Sequence, residues 1–268
     1  KEKFQRRLNK IKKKQEDLRD QLYDRFETMQ REDPKEMELL LEKIQESVPK
    51  HKTKIPSSGK VTFFRPFLMR EQKVLLIAQQ ASKHAESLKA VATVVEACVE
   101  DVDNGLNLSM CDLEYLFAQI RAKSVSEKAE PIFTCPHTGE TIKTGVNLTE
   151  IKISNQEVKS EIKVTDKLKI VMKSPTVRDH ILAEGEDWFD KLICNCMSKI
   201  IFEDESFDGS SISDEDKMEI INTMTQHQYD LCSKFMENQP HIYTDVKYRT
   251  KDGEIREITF KGLKDFFS

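Results

Sequence analysis

Six cysteines and six histidines are the side chains in this sequence best suited to nucleophilic or metal chemistry, and their spacing decides which. Cys135-Pro136-His137 and Cys194-Asn195-Cys196 each place two soft ligands two positions apart. Structural zinc sites use C-x2-C or H-x3-H spacing, which brings two ligands to one ion at a knuckle or on one helical turn. Neither pair has that spacing, and on a helix residues two apart face different sides. No metal ligands are assigned. A nucleophilic cysteine needs a histidine and an orienting carboxylate within reach, and neither Cys135 nor Cys194 lies in a nucleophile elbow. The chain has only eight glycines, the residue that tight active-site loops need most. Ser57-Ser58-Gly59-Lys60 shares its last two residues with a phosphate-binding loop but lacks the G-x-x-x-x-G-K-[ST] spacing, so it reads as a turn. No catalytic residue and no cofactor are expected. The enzyme alternative, a hydrolase, predicts Cys135 or Cys194 within hydrogen-bond reach of a histidine.

Charge is the stronger signal. Charged residues make up 34% of the 268, and the formal net charge is −4. The fraction exceeds the globular average of about 25%, so charge of both signs is expected to coat helices over a modest core of 38% hydrophobic residues. Between Lys1 and Lys14 there are eight Lys/Arg and one acid, Glu2, followed by Glu16, Asp17, Asp20 and Asp24. Phe4, Leu8, Ile11, Leu18 and Leu22 recur at three- and four-residue steps in the same stretch, which predicts an amphipathic helix with a narrow apolar seam. A basic helix of this kind tracks phosphates in some proteins. Here Phe4 is the one aromatic for base stacking, and the run from basic to acidic suits a helix that pairs with a polypeptide. The seam residues Leu8, Ile11, Leu18 and Leu22 are therefore the candidate partner-binding residues. The alternative is a nucleic-acid-binding adaptor that uses the same basic helix.

Around these residues the periodicity predicts an α+β protein: a helical arm, a helical layer, a small antiparallel sheet, and C-terminal helices closed by a β-hairpin. Residues 1–54 read as the charged arm and its linker, with a second helix from Pro34 to about Val48 and the linker from Pro49 to Lys54. Residues 55–172 read as the turn at Ile55–Lys60, a strand at Val61–Arg65 and helices over 70–80, 86–100 and 110–122. The small sheet follows, where the pattern switches to period two. Residues 173–268 read as one apolar helix from Trp188 to Ile201, two further helices over 213–224 and 226–237, and a hairpin turned at Lys251-Asp252-Gly253. Gly262–Phe267 forms a closing apolar plug. No internal repeat is visible. No run approaches the roughly 18 apolar residues of a membrane span, and no secretory signal opens the chain. The cysteines, most of them in apolar stretches, fit a reducing compartment.

Several blocks together resemble a known family. Ile55-Pro56-Ser57-Ser58-Gly59-Lys60, Phe64-Arg65-Pro66-Phe67-Leu68 and Glu71-Gln72-Lys73-Val74-Leu75-Leu76 resemble the opening of the T4-type phage baseplate hub proteins. Asp112-Leu113-Glu114-Tyr115-Leu116-Phe117 and Arg121-Ala122-Lys123-Ser124-Val125 are similar to its second block. Trp188-Phe189-Asp190-Lys191-Leu192, Phe235-Met236 with Pro240, and Gly262-Leu263 with Phe266-Phe267 are similar to its closing blocks. The resemblance covers about 55–268 and omits the arm. Ser126 stands where the family carries glycine, and Cys135-Pro136-His137-Thr138 stands where some relatives carry a cysteine pair. The resemblance implies a non-enzymatic role in assembling the central hub of a phage tail, in the virion or in the host cytoplasm during assembly. Its partners would be other hub and tail proteins, an oligomer being compatible with it, without a membrane. It marks Gly59, Lys60, Arg65, Pro66, Asp112, Tyr115, Arg121, Lys123 and Ser124 as motif residues with structural roles.

Overall fold

The computed structural model of the chain describes residues 13, 18–21, 34–81, 83–154 and 159–267. It divides into two compact units, Lys1–Pro49 and Lys50–Ser268. In the first unit, proline opens helix α1 (Pro34–Glu46), where its missing N–H costs no hydrogen bond. Leu39, Leu41 and Ile44 on this helix are exposed, as is Leu18. Leu8, Ile11 and Leu22 lie outside the described residues.

The second unit, here called the body, begins with β1 (His51–Lys54) paired antiparallel to β2 (Val61–Phe64). His51–Lys54 is thus a strand where a linker was expected. Alternation explains it: Thr53 turns inward and the charged Lys52 and Lys54 outward, a composition that suits the edge of a small sheet. Helices α2 (Met69–Ala81), α3 (His84–Cys98) and α4 (Met110–Ser124) follow, close to the expected spans. Next come β3 (Lys128–Ala129), β4 (Ile132–Thr134), β5 (Thr141–Lys143), β6 (Val146–Asn147), β7 (Lys152–Ile153), β8 (Glu161–Lys163) and β9 (Leu168–Met172). The chain then runs through α5 (Val177–Leu182), α6 (Trp188–Cys196), β10 (Met197–Phe202), β11 (Glu205–Asp208), α7 (Asp214–Asn222) and α8 (Gln226–Glu237). The hairpin β12 (Ile242–Arg249) and β13 (Ile255–Lys261) and the short α9 (Gly262–Phe266) complete the body.

Two expectations change. The helix expected from Trp188 to Ile201 stops at Cys196, and Met197–Phe202 pairs with β9 instead. Its β-branched Ile200 and Ile201 are stiff at χ1 and fit a pleated surface better than a helix. A short apolar run has no period that separates the two. The one expected sheet is in fact several small antiparallel ones. The largest has the order β11-β10-β9-β8, and a second, β13-β12-β7, joins the C-terminal hairpin to mid-chain.

A repeat unseen in the sequence also emerges. The β1–β2 and β4–β5 hairpins turn through Ile55-Pro56-Ser57-Ser58-Gly59-Lys60 and Cys135-Pro136-His137-Thr138-Gly139-Glu140. In the first, Ile55 N–H donates to the Lys60 carbonyl (2.9 Å) and Gly59 N–H to the Ile55 carbonyl (2.8 Å). In the second, Cys135 N–H donates to the Glu140 carbonyl (2.8 Å) and Gly139 N–H to the Cys135 carbonyl (2.9 Å). Gly59 and Gly139 have φ of 67° and 69°, a region that glycine enters without strain. The shared pattern is X-Pro-X-(Ser/Thr)-Gly-X, too short to stand out among dissimilar strands.

Three apolar clusters hold the body. The first joins β2, α3 and α4 through Phe64, Val94, Val95, Leu113, Leu116 and Ile120. The second seats α6, α7 and α8 on the four-stranded sheet. The third gathers the β12–β13 hairpin and Phe266 onto Cys111 and Ala122 of α4. Helix α4 therefore serves two clusters from opposite faces, with Asp112, Glu114, Gln119, Arg121 and Lys123 along the strips between them. The loop before it touches α3 at Gly105, where a Cβ would collide with the Ala92 carbonyl.

Candidate functional site

The motif residues brace the body. Ser57 N–H donates to Asp112 Oδ1 at 2.8 Å, tying the first hairpin turn to the N-terminus of α4, where the helix dipole favours a carboxylate. Ser109 caps that end, its Oγ accepting from Asp112 N–H at 3.1 Å. Beyond Gly59, Lys60 pairs with Asp101 at 2.9 Å. Arg65 donates to Glu71 (3.0 Å), to the Ala97 carbonyl (2.9 Å) and to the Pro66 carbonyl (3.1 Å). At the far end of α4, Ser124 Oγ accepts from Phe67 N–H at 2.9 Å, and Lys123 pairs with Glu127. Arg121 lies 4.2 Å over the Phe267 ring, a cation–π contact. Tyr115 packs against the third cluster.

The cysteines divide in two. Burial pushes the thiols of Cys98, Cys194 and Cys232 up to about 11 and those of Cys111 and Cys196 up to about 12, far from a thiolate at neutral pH. For Cys135, burial also raises the pKa, but hydrogen bonds from Thr138, Tyr248 and the His137 and Thr138 N–H groups outweigh it and bring it to about 7. The Cys135 Sγ lies 3.4 Å from Tyr248 Oη, and the Thr138 side chain also reaches it. Among the described residues, no group of three His, Cys, Asp or Glu side chains could hold a metal ion. No described helix is long and apolar enough to cross a membrane.

A concavity of the body lies beside the N-terminus of α4 and encloses about 920 Å³. Its walls come from α4, the segment before α5, α6, the end of α8 and the β13–α9 junction, with Met110, Trp188, Phe189, Leu192 and Met236 as the apolar surface. One wall is fixed by Asp179. It closes a capping box with Thr176 (N–H 2.9 Å, Oγ1 2.8 Å) and pairs with Lys173 at 3.2 Å, which sets Ser174 and Pro175 in place. Trp188 sits half in solvent at 49% exposure and meets Phe189 edge-on at 5.4 Å. His180 also lines the groove. Burial and the nearby His84 lower its pKa, and Asp179 opposes them.

Glu114 is the chemically distinctive group. Burial lifts its carboxyl to about 7, Asp265 adding to the rise and the Leu263 N–H opposing it from 3.2 Å. The folded state thus binds this proton more tightly than the unfolded chain, whose ordinary value is 4.5. By linkage, the Glu114 contribution to stability falls as pH rises from about 4.5 to about 7 and is level above that. Glu114→Gln should therefore flatten the pH dependence across that window and stabilise the body at pH 8 by about 1–3 kcal/mol. Thermal melts of both proteins at pH 5 and pH 8 read this directly, and parallel curves for the two would refute it.

No sequence pattern marks the groove, because its walls come from segments between residues 56 and 262. The available signal was local: one glutamate, Glu114, within a helix that is mostly buried. The family model described as T4 bacteriophage base plate protein matches residues 48–268, nearly the span of the body. No curated protein and no solved structure matches the chain.

Proposed function

The chain belongs to the T4 bacteriophage base plate protein family, and from that premise we propose that it acts without catalysis, by binding other baseplate proteins as the central hub forms. Membership places it in phage baseplate structure or assembly; the hub is the finer step. The family match along the whole body carries the reading. It is supported by the open apolar walls of the groove. A hub subunit stays in the virion tail, and an assembly factor works in the host cytoplasm.

The arm, which ends before Lys50, is proposed as one contact region, with the seam Leu8, Ile11, Leu18 and Leu22. Leu18 is 60% exposed, and an apolar residue so placed on a helix suits a partner helix. The triple substitution Leu8→Asp, Ile11→Asp and Leu18→Asp is expected to abolish co-purification with other baseplate proteins, while circular dichroism of the body is unchanged. Retained co-purification would remove the arm from the mechanism. If the protein instead retains DNA on a filter with a steep loss in salt, the basic helix serves nucleic acid and the adaptor reading replaces this one.

A further inference from the structure

We propose that the groove beside the N-terminus of α4 docks a lysine- or arginine-bearing amphipathic helix of another baseplate protein, its cation pairing with Glu114 and its apolar face lying on Trp188 and Phe189. The inference rests on the baseplate reading above and adds a place and a chemistry to it.

Charge selects the occupant. The groove is lined by the carboxylates of Asp112, Glu114 and Glu237 and by the single lysine Lys261. Asp112 is already held by the Ser57 N–H. Glu114 accepts one backbone N–H, and among the described residues no lysine, arginine or histidine forms an ion pair with it. Above pH 7, where Glu114 is ionised, an apolar partner could cover it only by forcing a proton onto it, and an acidic one would repel it. A cation carried on an apolar helix satisfies both the charge and the walls. Methionine walls adapt to helix side chains, and a half-exposed tryptophan is the residue type that most often anchors an interface.

The chain has one tryptophan, Trp188, so its fluorescence reports directly on the groove. The probes are a helical peptide of leucine and lysine at helical spacing and its leucine–glutamate counterpart, titrated into the full chain. The lysine peptide is expected to blue-shift Trp188 emission and to bind about tenfold more weakly to Glu114→Gln, while the glutamate peptide leaves the emission unchanged. Equal binding of the two peptides, or lysine-peptide binding that neither moves Trp188 emission nor responds to Glu114→Gln, would overturn the proposal. So would concentration-dependent self-association in sedimentation that Glu114→Gln abolishes, since a second copy would then be the occupant. The two readings fail separately. If Trp188→Ala and Glu114→Gln still capture the baseplate proteins as well as the parent chain does, the groove is not the dock although the baseplate reading stands. If the parent chain captures none of them, the baseplate-binding reading itself falls.

Discussion

Replacing Glu71 with alanine is expected to destabilise the body by about 2–4 kcal/mol, seen as a lower midpoint of urea unfolding at an unchanged slope. The Glu71 side chain is 6% exposed and accepts hydrogen bonds from Arg65 (3.0 Å), Arg70 (2.6 Å) and the Leu68 N–H (2.7 Å). Through Arg65 the same carboxylate is linked to the Ala97 carbonyl at the end of α3. One side chain therefore joins β2, α2 and α3. Its loss would strand the Arg65 guanidinium, itself 16% exposed, with two carbonyls and no counter-charge. The control is Glu100→Ala, which breaks the exposed Lys50–Glu100 pair and should cost less than about 1 kcal/mol. Equal losses in the two variants would show that burial gives the Glu71 cluster no special weight. The pH dependence has the opposite sign to that of Glu114. Burial raises the Glu71 pKa, but Arg65, Arg70 and the Leu68 N–H lower it more, to about 2. Its stabilisation is complete above the ordinary value of 4.5 and is lost as pH falls from there to about 2.

Phe266→Ala is expected to cost about 3–5 kcal/mol, the range for removing a buried aromatic ring from a core. Phe266 is fully buried in the third cluster, against Cys111 and Ala122 of α4 and the β12–β13 hairpin. Helix α9 is too short to hold itself by backbone bonds, so the ring is what fixes it. Phe267, its neighbour, is 36% exposed and meets Phe117 edge-on at 6.5 Å and Arg121 at 4.2 Å. Phe267→Ala should therefore cost visibly less. Guanidinium unfolding of the two variants decides the matter, and a loss under about 1 kcal/mol for Phe266→Ala would mean the plug is ornamental.

Elements with a strong period were legible from sequence. The helices α2, α3 and α4 and the β12–β13 hairpin lie within a few residues of where spacing and turn chemistry put them. The departures share a physical origin. His51–Lys54 carries too much charge to read as a strand, and only pairing with Val61–Phe64 makes it one. Met197–Phe202 is apolar on both sides, so its neighbours decide between helix and strand, and β9 and β11 supply a ladder on each side. Sheet partnership was hidden for the same reason, since β7 meets β12 across about 90 residues and no local pattern encodes such a pairing. The baseplate family was legible from blocks around Arg65, Asp112 and Trp188. The groove was not. Trp188 and Phe189 read as members of an apolar helix, and Glu114 as one letter of a motif; only the fold sets them around one space.

The position of α4 between two apolar clusters has a further thermodynamic consequence. A helix shared in this way cannot loosen on one side while the other stays intact, so the clusters it joins should open as a single cooperative unit. A ligand gripping the first turn of that helix would therefore act on the whole body. Its binding free energy would add to global stability by mass action, and assembly itself would become the event that hardens the subunit.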